Sequence, residues 1–135
     1  MGISADIITF KCLTEREAKE YLLEEKVFYK TEWYLEFQLG EHPLRDEIAK
    51  KLKDCKYIEV KDIFYLGSRK KFKDDVFDDY SSHRGFLSFE EGWEYLIDEA
   101  KKEFIAKISN LWETEDEKDI LEFFKSGNYY IDLGV

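Results

Sequence analysis

The longest apolar stripe in the chain lies in Ser88–Trp112, SFEEGWEYLIDEAKKEFIAKISNLW. Ser88 and Glu91 match the capping-box pattern, in which two side chains satisfy backbone donors at the start of a helix. The apolar residues that follow recur every three or four positions, which is the spacing of one helix face. They are Phe89, Trp93, Leu96, Ala100, Phe104, Ile108 and Leu111. The pattern predicts one long helix that runs to about Trp112 and whose stripe faces the core.

Shorter elements precede this helix. Residues 6–12 alternate apolar and polar side chains, which predicts a first strand. Thr14 and Glu17 form a second capping box and predict a helix that ends near Glu25. From Val27 to Leu39 the chain alternates again, with Trp33, Leu35, Phe37 and Leu39 on one side, and this predicts the clearest strand in the sequence.

The rest of the chain continues the mixture of helix and strand. Helical spacing from Leu44 to Cys55 predicts a helix that Pro43 introduces. Tyr57–Leu66 is rich in aromatic and branched residues and predicts a strand that Gly67 ends. Ser68–Gly85 has no sustained period and predicts a long loop.

The C-terminal part has its own start and stop signals. Thr114 and Glu117 form a third capping box, which predicts a short helix ended by Gly127. Residues 129–135 alternate and predict a final strand. The order predicts an α+β fold over residues 1–135, a single domain with an about four-stranded, mainly antiparallel sheet packed with about four helices.

The charge of the chain restricts its function. The chain has 31 Asp and Glu against 21 Lys and Arg among 135 residues, a formal charge of -10. A negative field repels DNA, RNA and anionic membranes, so the sequence predicts neither direct nucleic-acid binding nor membrane binding. Because residues 1–10 lack the features of a signal peptide and no run of 18 apolar residues occurs, we expect a soluble cytoplasmic protein.

Cofactor and metal motifs are missing from the sequence. No Gly-x-Gly or Gly-Lys-Ser occurs, so no phosphate cradle and no cofactor is predicted. The spacing of Cys12 and Cys55 fits neither a disulfide framework nor zinc, and we interpret both as reduced, buried core residues. The aspartates between Asp74 and Asp79 lack the glycine and closing glutamate of a calcium loop, so no metal site is predicted, although these carboxylates remain the alternative metal ligands.

Two histidines offer an enzymatic alternative. His42 and His83 could act as general acid and base in a small hydrolase or phosphodiesterase, with Arg84 or Lys71 holding a phosphate. His42 precedes a proline at a predicted helix start, where capping is the structural interpretation, and His83 lies in a sequence typical of a turn. The sequence therefore favours a protein that is not an enzyme.

The negative charge and the aromatic residues coincide in part of the chain. Residues 86–126 contain 12 acidic and 5 basic residues, a balance of -7, and aromatics are interleaved with aspartates in residues 74–80. Aromatic anchors with carboxylates around them are typical of surfaces that dock a basic protein. The predicted partner-binding residues are Asp74, Asp75, Phe77, Asp78, Asp79, Tyr80, Glu113, Glu115 and Asp116.

These observations favour a small acidic inhibitor that binds another protein. In size and composition the chain resembles the bacterial immunity proteins, which protect a cell from its own secreted toxins. This resemblance implies an inhibitor that occludes a basic, nuclease-type partner. Two alternatives are a phage protein that blocks a nucleic-acid-handling defence enzyme and a structural subunit whose exposed aromatics form a homo-oligomer interface.

Overall fold

A computed structural model of the chain describes residues 4–74, 86–114, 116–126 and 128–134. The fold is α+β, and the described residues contain five strands and six α-helices, against about four of each predicted. From the N-terminus, the elements are β1 (Ser4–Leu13), α1 (Glu15–Leu23), β2 (Tyr29–Lys30), α2 (Thr31–Trp33), a π-helix (Tyr34–Leu39), α3 (Arg45–Lys51) and β3 (Tyr57–Ser68). They are followed by a 3₁₀ turn (Arg69–Lys71), β4 (Phe86–Ser88), α4 (Phe89–Tyr95), α5 (Asp98–Trp112), α6 (Glu117–Ser126) and β5 (Tyr129–Gly134).

The strands form one open antiparallel sheet in the order β2-β3-β1-β5-β4. Tyr29 of β2 lies opposite Ile58 of β3, and Leu87 of β4 lies opposite Ile131 of β5.

By their contacts, residues divide into a first unit, Met1–Ile8 with Asp62–Val135, and a second unit, Thr9–Lys61. The single domain remains a prediction. Among the described residues, we find no helix with the length and apolar character needed to cross a bilayer.

The first unit has an aromatic core built on α4, α5, α6 and β5. Most of the stripe predicted from the sequence is buried here, but Leu111 is 67% exposed and does not belong to the core. Gly92 lies where α4 rests on β5, since a Cβ at this position would overlap the side chain of Ile131. The buried side chains are Ala5, Ile7, Phe72, Leu87, Phe89, Trp93, Leu96, Ala100, Phe104, Ile108, Ile120, Phe124, Ile131 and Leu133.

Phe124 is the centre of this aromatic core. Its ring centroid lies 5.2 Å from that of Phe89, 5.3 Å from that of Phe104 and 5.7 Å from that of Trp112. Tyr129 of β5 contacts the same ring, at 5.0 Å. One side chain of α6 therefore contacts α4, α5 and β5, and its burial fixes which face of α6 points inward.

The second unit has a smaller core and confirms several predicted elements. The predicted strand over residues 6–12 is part of β1. The capping box of Thr14 and Glu17 opens α1, with the Thr14 hydroxyl accepting from the Glu17 backbone N–H at 3.1 Å. The helix predicted after Pro43 is present as α3, with Ile48 fully buried.

The strand predicted over Val27–Leu39 is wrong for most of its length. Only Tyr29–Lys30 pairs as a strand, and residues 31–39 are helical. In a π-helix, residues five apart share a face, and the two residues of this π-helix that are buried, Tyr34 and Leu39, have that spacing. Because Trp33, Tyr34 and Leu35 are consecutive apolar residues, the alternating pattern did not exclude a helical one.

The single helix predicted over Ser88–Trp112 is also wrong. Ser88 caps α4 as predicted, its hydroxyl accepting from the Glu91 backbone N–H at 3.2 Å. However, Leu96 and Ile97 have extended backbone angles and separate α4 from α5. Leu96 forms an antiparallel bridge with Phe72, and the Ile97 N–H donates to the Lys71 carbonyl at 2.9 Å. A pairing with a distant segment thus replaces one helical turn.

The predicted cap of the last helix is displaced by two residues, from Thr114 to Asp116. Thr114 does not cap a helix with Glu117; its hydroxyl accepts from the Asp116 N–H at 3.3 Å. Asp116 is the residue whose carboxylate accepts from the Asp119 N–H, also at 3.3 Å, and α6 begins at Glu117. The loop predicted over Ser68–Gly85 contains the end of β3 and the 3₁₀ turn, and residues 75–85 lie outside the described part of the chain.

Removing the Phe124 ring should destabilise the fold strongly. Phe124 is 3% exposed, so Phe124→Ala leaves a cavity among five aromatic partners and should lower the free energy of unfolding by about 3–5 kcal/mol. Its neighbour Phe123 is 47% exposed, and Phe123→Ala should cost about half as much or less. Urea unfolding followed by circular dichroism measures both. Equal losses for the two variants would contradict the assignment of Phe124 as the packing centre.

Candidate functional site

The structure describes three of the nine residues predicted to bind a partner. Asp74, Glu113 and Asp116 are all exposed. The other six lie outside the described residues: Asp75, Phe77, Asp78, Asp79, Tyr80 and Glu115. Their role in binding remains a prediction.

Asp74 and Glu113 lie at opposite ends of α5. Asp74 follows the segment that pairs with the start of this helix, where the Lys73 N–H donates to the Tyr95 carbonyl at 2.6 Å. Glu113 directly follows the last residue of α5, and the helix has 15 residues. At a rise of 1.5 Å per residue, the helix separates the two carboxylates by roughly 20 Å. Asp74 is therefore not part of the surface that contains Glu113 and Asp116.

An ion pair fixes the segment before Asp74 against α5. The Lys71 ammonium lies 2.8 Å from a Glu103 carboxylate oxygen, and Lys107 lies 3.3 Å from the other oxygen. These hydrogen bonds and charges lower the pKa of Glu103, and the Glu103 carboxylate raises the pKa of Lys71. Lys71, considered above as a phosphate ligand, thus already has a carboxylate partner.

Glu113 and Asp116 lie beside two exposed aromatic rings. Trp112 ends α5 and is 41% exposed, and Phe123 of α6 is 47% exposed. Their ring centroids are 5.0 Å apart with the planes at 85°, an edge-to-face contact. Leu111, the preceding residue of α5, is 67% exposed. We call residues 111–126 the α5–α6 corner.

Local backbone geometry places these side chains. Glu113 adopts a left-handed conformation, with φ 55° and ψ 41°, which ends α5 and turns the chain. The Asp116 carboxylate then caps α6, as described above. Trp112 stacks on the buried Phe124 ring with an interplanar angle of 6°, so its position is set by the core.

The carboxylates outnumber the basic groups at this corner. Residues 111–126 contain six acidic and two basic residues, so 2 minus 6 gives a local charge of -4. The acidic side chains described here are all exposed. They are Glu113, Asp116, Glu117, Asp119 and Glu122. Asp119, Glu122 and Phe123 also line a depression on the surface of α6, together with Lys125 and Ser126.

Sequence reasoning missed Trp112 and Phe123 as surface residues. The apolar pattern of the last helix includes both Phe123 and Phe124, and consecutive helical residues point about 100° apart, so the two rings need not be equally buried. This difference in direction is the only sequence signal for a ring at the surface. The sequence does not say which, because the choice depends on the ring contacts of Phe124.

His42, one of the two histidines of the enzymatic alternative, has a structural role. The side chain is 5% exposed, and its Nδ1 accepts from the Leu44 backbone N–H at 3.0 Å. This bond holds the turn before α3 and is not a cap of that helix, whose N-cap position is Leu44 without a side-chain cap, so the expected capping role is wrong in detail. His83 and Arg84 lie outside the described residues, so the proposed pair remains untested. In the described part of the chain, no three His, Cys, Asp or Glu residues are grouped closely enough to hold a metal ion.

Three aspartates share the centre of the sheet. Asp6 of β1, Asp62 of β3 and Asp132 of β5 lie on neighbouring strands. Partial burial and repulsion from the other two carboxylates raise the pKa of Asp6. A carboxyl group with a raised pKa in the folded state destabilises the fold when it is ionised.

Asp6→Asn should therefore raise the melting temperature at neutral pH, by about 1–3 °C. As the pH falls through the raised pKa of Asp6, the native carboxyl group takes up a proton and the advantage of the variant should disappear. Thermal unfolding of both proteins between neutral and acidic pH measures the difference. Asp54→Asn removes the same charge from an exposed turn and is the control. A lower melting temperature for Asp6→Asn at neutral pH would contradict the repulsion.

Comparison with known protein families, with characterised proteins and with solved structures found no match to this chain, so its function is inferred from its own residues.

Proposed function

We propose that this protein is a small acidic inhibitor that binds and occludes a basic, nuclease-type protein, as immunity proteins do. The α5–α6 corner carries the proposal, because it places two exposed aromatic rings in contact beside five exposed carboxylates. The partner is defined by its chemistry: a positively charged surface with an apolar recess. A nucleic-acid-handling defence enzyme has the same chemistry, and the identity of the bound partner would distinguish the two roles.

The aromatic rings supply the binding energy in this proposal. Large aromatic side chains dominate the energetics of interfaces, and those held rigidly lose little conformational entropy on binding. Trp112 stacks on Phe124, and Phe123 contacts both Phe124 and Tyr129 at 5.3 Å. The exposed surfaces of both rings are thus already ordered before a partner arrives.

The carboxylates supply orientation and speed of association. A local charge of -4 within a chain of charge -10 attracts cationic surfaces and repels polyanions. Opposite charges around an apolar centre increase the association rate and exclude partners of the wrong sign. The inhibitor would therefore compete with nucleic acid for the same basic surface of its partner.

Replacing the exposed apolar residues of the corner should abolish tight binding. We expect native lysate of the source organism to yield one basic protein bound in stoichiometric amount. Leu111→Ser with Phe123→Ser should weaken its affinity by about 30-fold or more, because both side chains are largely exposed and would be buried in the complex. Isothermal titration calorimetry with the purified partner gives the affinity.

The control is a second pair of exposed leucines. Leu22→Ser with Leu23→Ser alters α1, where these side chains are 69% and 86% exposed. The affinity should remain within a few-fold of the native value. Loss of binding in this control with full binding by the corner variant would refute the corner as the docking surface, and capture of no basic protein would refute the proposed function.

Reversing charges at the corner should slow association. Glu113→Lys with Glu122→Lys leaves the Asp116 cap intact and should reduce the association rate by about 10-fold or more at low salt. Added salt should reduce the difference in association rate between the variant and the native protein, because salt screens the electrostatic attraction to the partner. Glu32→Lys with Glu36→Lys makes the same change of net charge on exposed residues of the second unit and is the matched control. Equal slowing in both variants would show that net charge, and not the corner, governs association.

A further inference from the structure

Two cysteines that are distant in the sequence meet in the second unit. Cys12 lies near the end of β1, and Cys55 lies two residues before β3, the neighbouring strand of the sheet. Both are free thiols. The sequence predicted that both are buried, which is wrong: Cys12 is exposed and Cys55 is half-buried.

The sheet brings the two thiols close together. Because β1 and β3 are antiparallel neighbours, the end of β1 lies beside the start of β3, where Cys55 is located. The Cys55 thiol donates to the Tyr57 carbonyl at 3.0 Å, and its proximity contributes to a raised pKa of Cys12. Cys12 is the more exposed of the two thiols.

We propose that Cys12 and Cys55 are a modification site at which a small-molecule disulfide, such as oxidised glutathione, drives formation of an intramolecular disulfide. The geometry supplies what this reaction requires: one accessible sulfur, and a second within reach of it. The inference is independent of the α5–α6 corner and stands whether or not that surface binds a partner.

The reaction proceeds in two exchanges. The Cys12 thiolate attacks one sulfur of oxidised glutathione, which forms a mixed disulfide and releases one glutathione thiolate. The Cys55 thiolate then attacks the Cys12 sulfur, which forms the protein disulfide and releases the second glutathione. The two thiol protons end on the two glutathione molecules, so two protein thiols are oxidised and one glutathione disulfide is reduced.

The surroundings favour a stable disulfide over a catalytic one. Desolvation and the hydrogen bond to Cys55 raise the pKa of Cys12 to about 11. Catalytic disulfides are strong oxidants because the protein stabilises the thiolate of their reduced form. At Cys12 the raised pKa means that the surroundings disfavour the thiolate. Exchange should be slow at neutral pH, and the disulfide should be hard to reduce once it has formed.

The disulfide should also stabilise the fold. It would link residues 43 positions apart and so restrict the unfolded chain. A loop of this length is expected to raise the melting temperature by roughly 10 °C where the bond forms without strain. Treatment of the oxidised protein with dithiothreitol should lower its melting temperature again to that of the reduced protein.

Mass spectrometry of the full chain incubated with oxidised glutathione at about pH 8.5 tests the proposal. The native protein should lose the mass of two hydrogen atoms and retain no glutathione. Cys55→Ser keeps a hydroxyl that can donate to Tyr57 and should stop at a stable glutathione adduct on Cys12. Cys12→Ser has no second thiol and should not lose the mass of two hydrogen atoms. A native protein that ends with glutathione on Cys12 and a free Cys55, or as a disulfide-linked dimer, would overturn the proposal.

Discussion

The packing of the Phe124 ring is the constraint on which the first unit and its candidate site depend. Phe124 projects inward from α6 and contacts rings of α4, α5 and β5. With Phe124 directed inward, Phe123 points about 100° away from it and is 47% exposed. The same packing holds Trp112 flat against the core while 41% of it stays exposed. The exposed aromatic pair is thus a consequence of how the core is filled.

The sequence predicted the elements whose signals are local. Capping boxes at Thr14 and Ser88 mark helix starts in the structure as expected, because a cap depends on residues three positions apart. It failed where distant segments decide the structure. The break at Leu96 arises from pairing with Phe72, 24 positions earlier, and the α-helical spacing of apolar residues continues across the break. Residues 31–39 are apolar at so many positions that strand and helix patterns both fit.

The candidate site likewise has some features that the sequence predicts and others that depend on packing. Charge is additive along a sequence, so the acidic character of Glu113 and Asp116 follows directly from the residue types. Exposure of a ring is not additive, since it depends on the packing of its neighbours, and the sequence predicts neither Trp112 nor Phe123 at the surface. Cys12 shows the same limit: its exposure and its contact with Cys55 depend on the pairing of strands that sequence spacing does not reveal.

The acidic residues occur in two environments, and the difference bears on selectivity. At Asp6, partial burial of the carboxylate, together with repulsion from Asp62 and Asp132, raises the pKa. At the α5–α6 corner the carboxylates are exposed, and water and salt screen them. A partner that covers the corner removes this screening and brings its carboxylates toward the condition of Asp6. A neutral partner would then bury unpaired charges at a cost of several kcal/mol each, whereas a cationic partner would pair them. In the proposed function, the corner would therefore select a basic partner chiefly because burying its carboxylates against any other kind of partner is unfavourable.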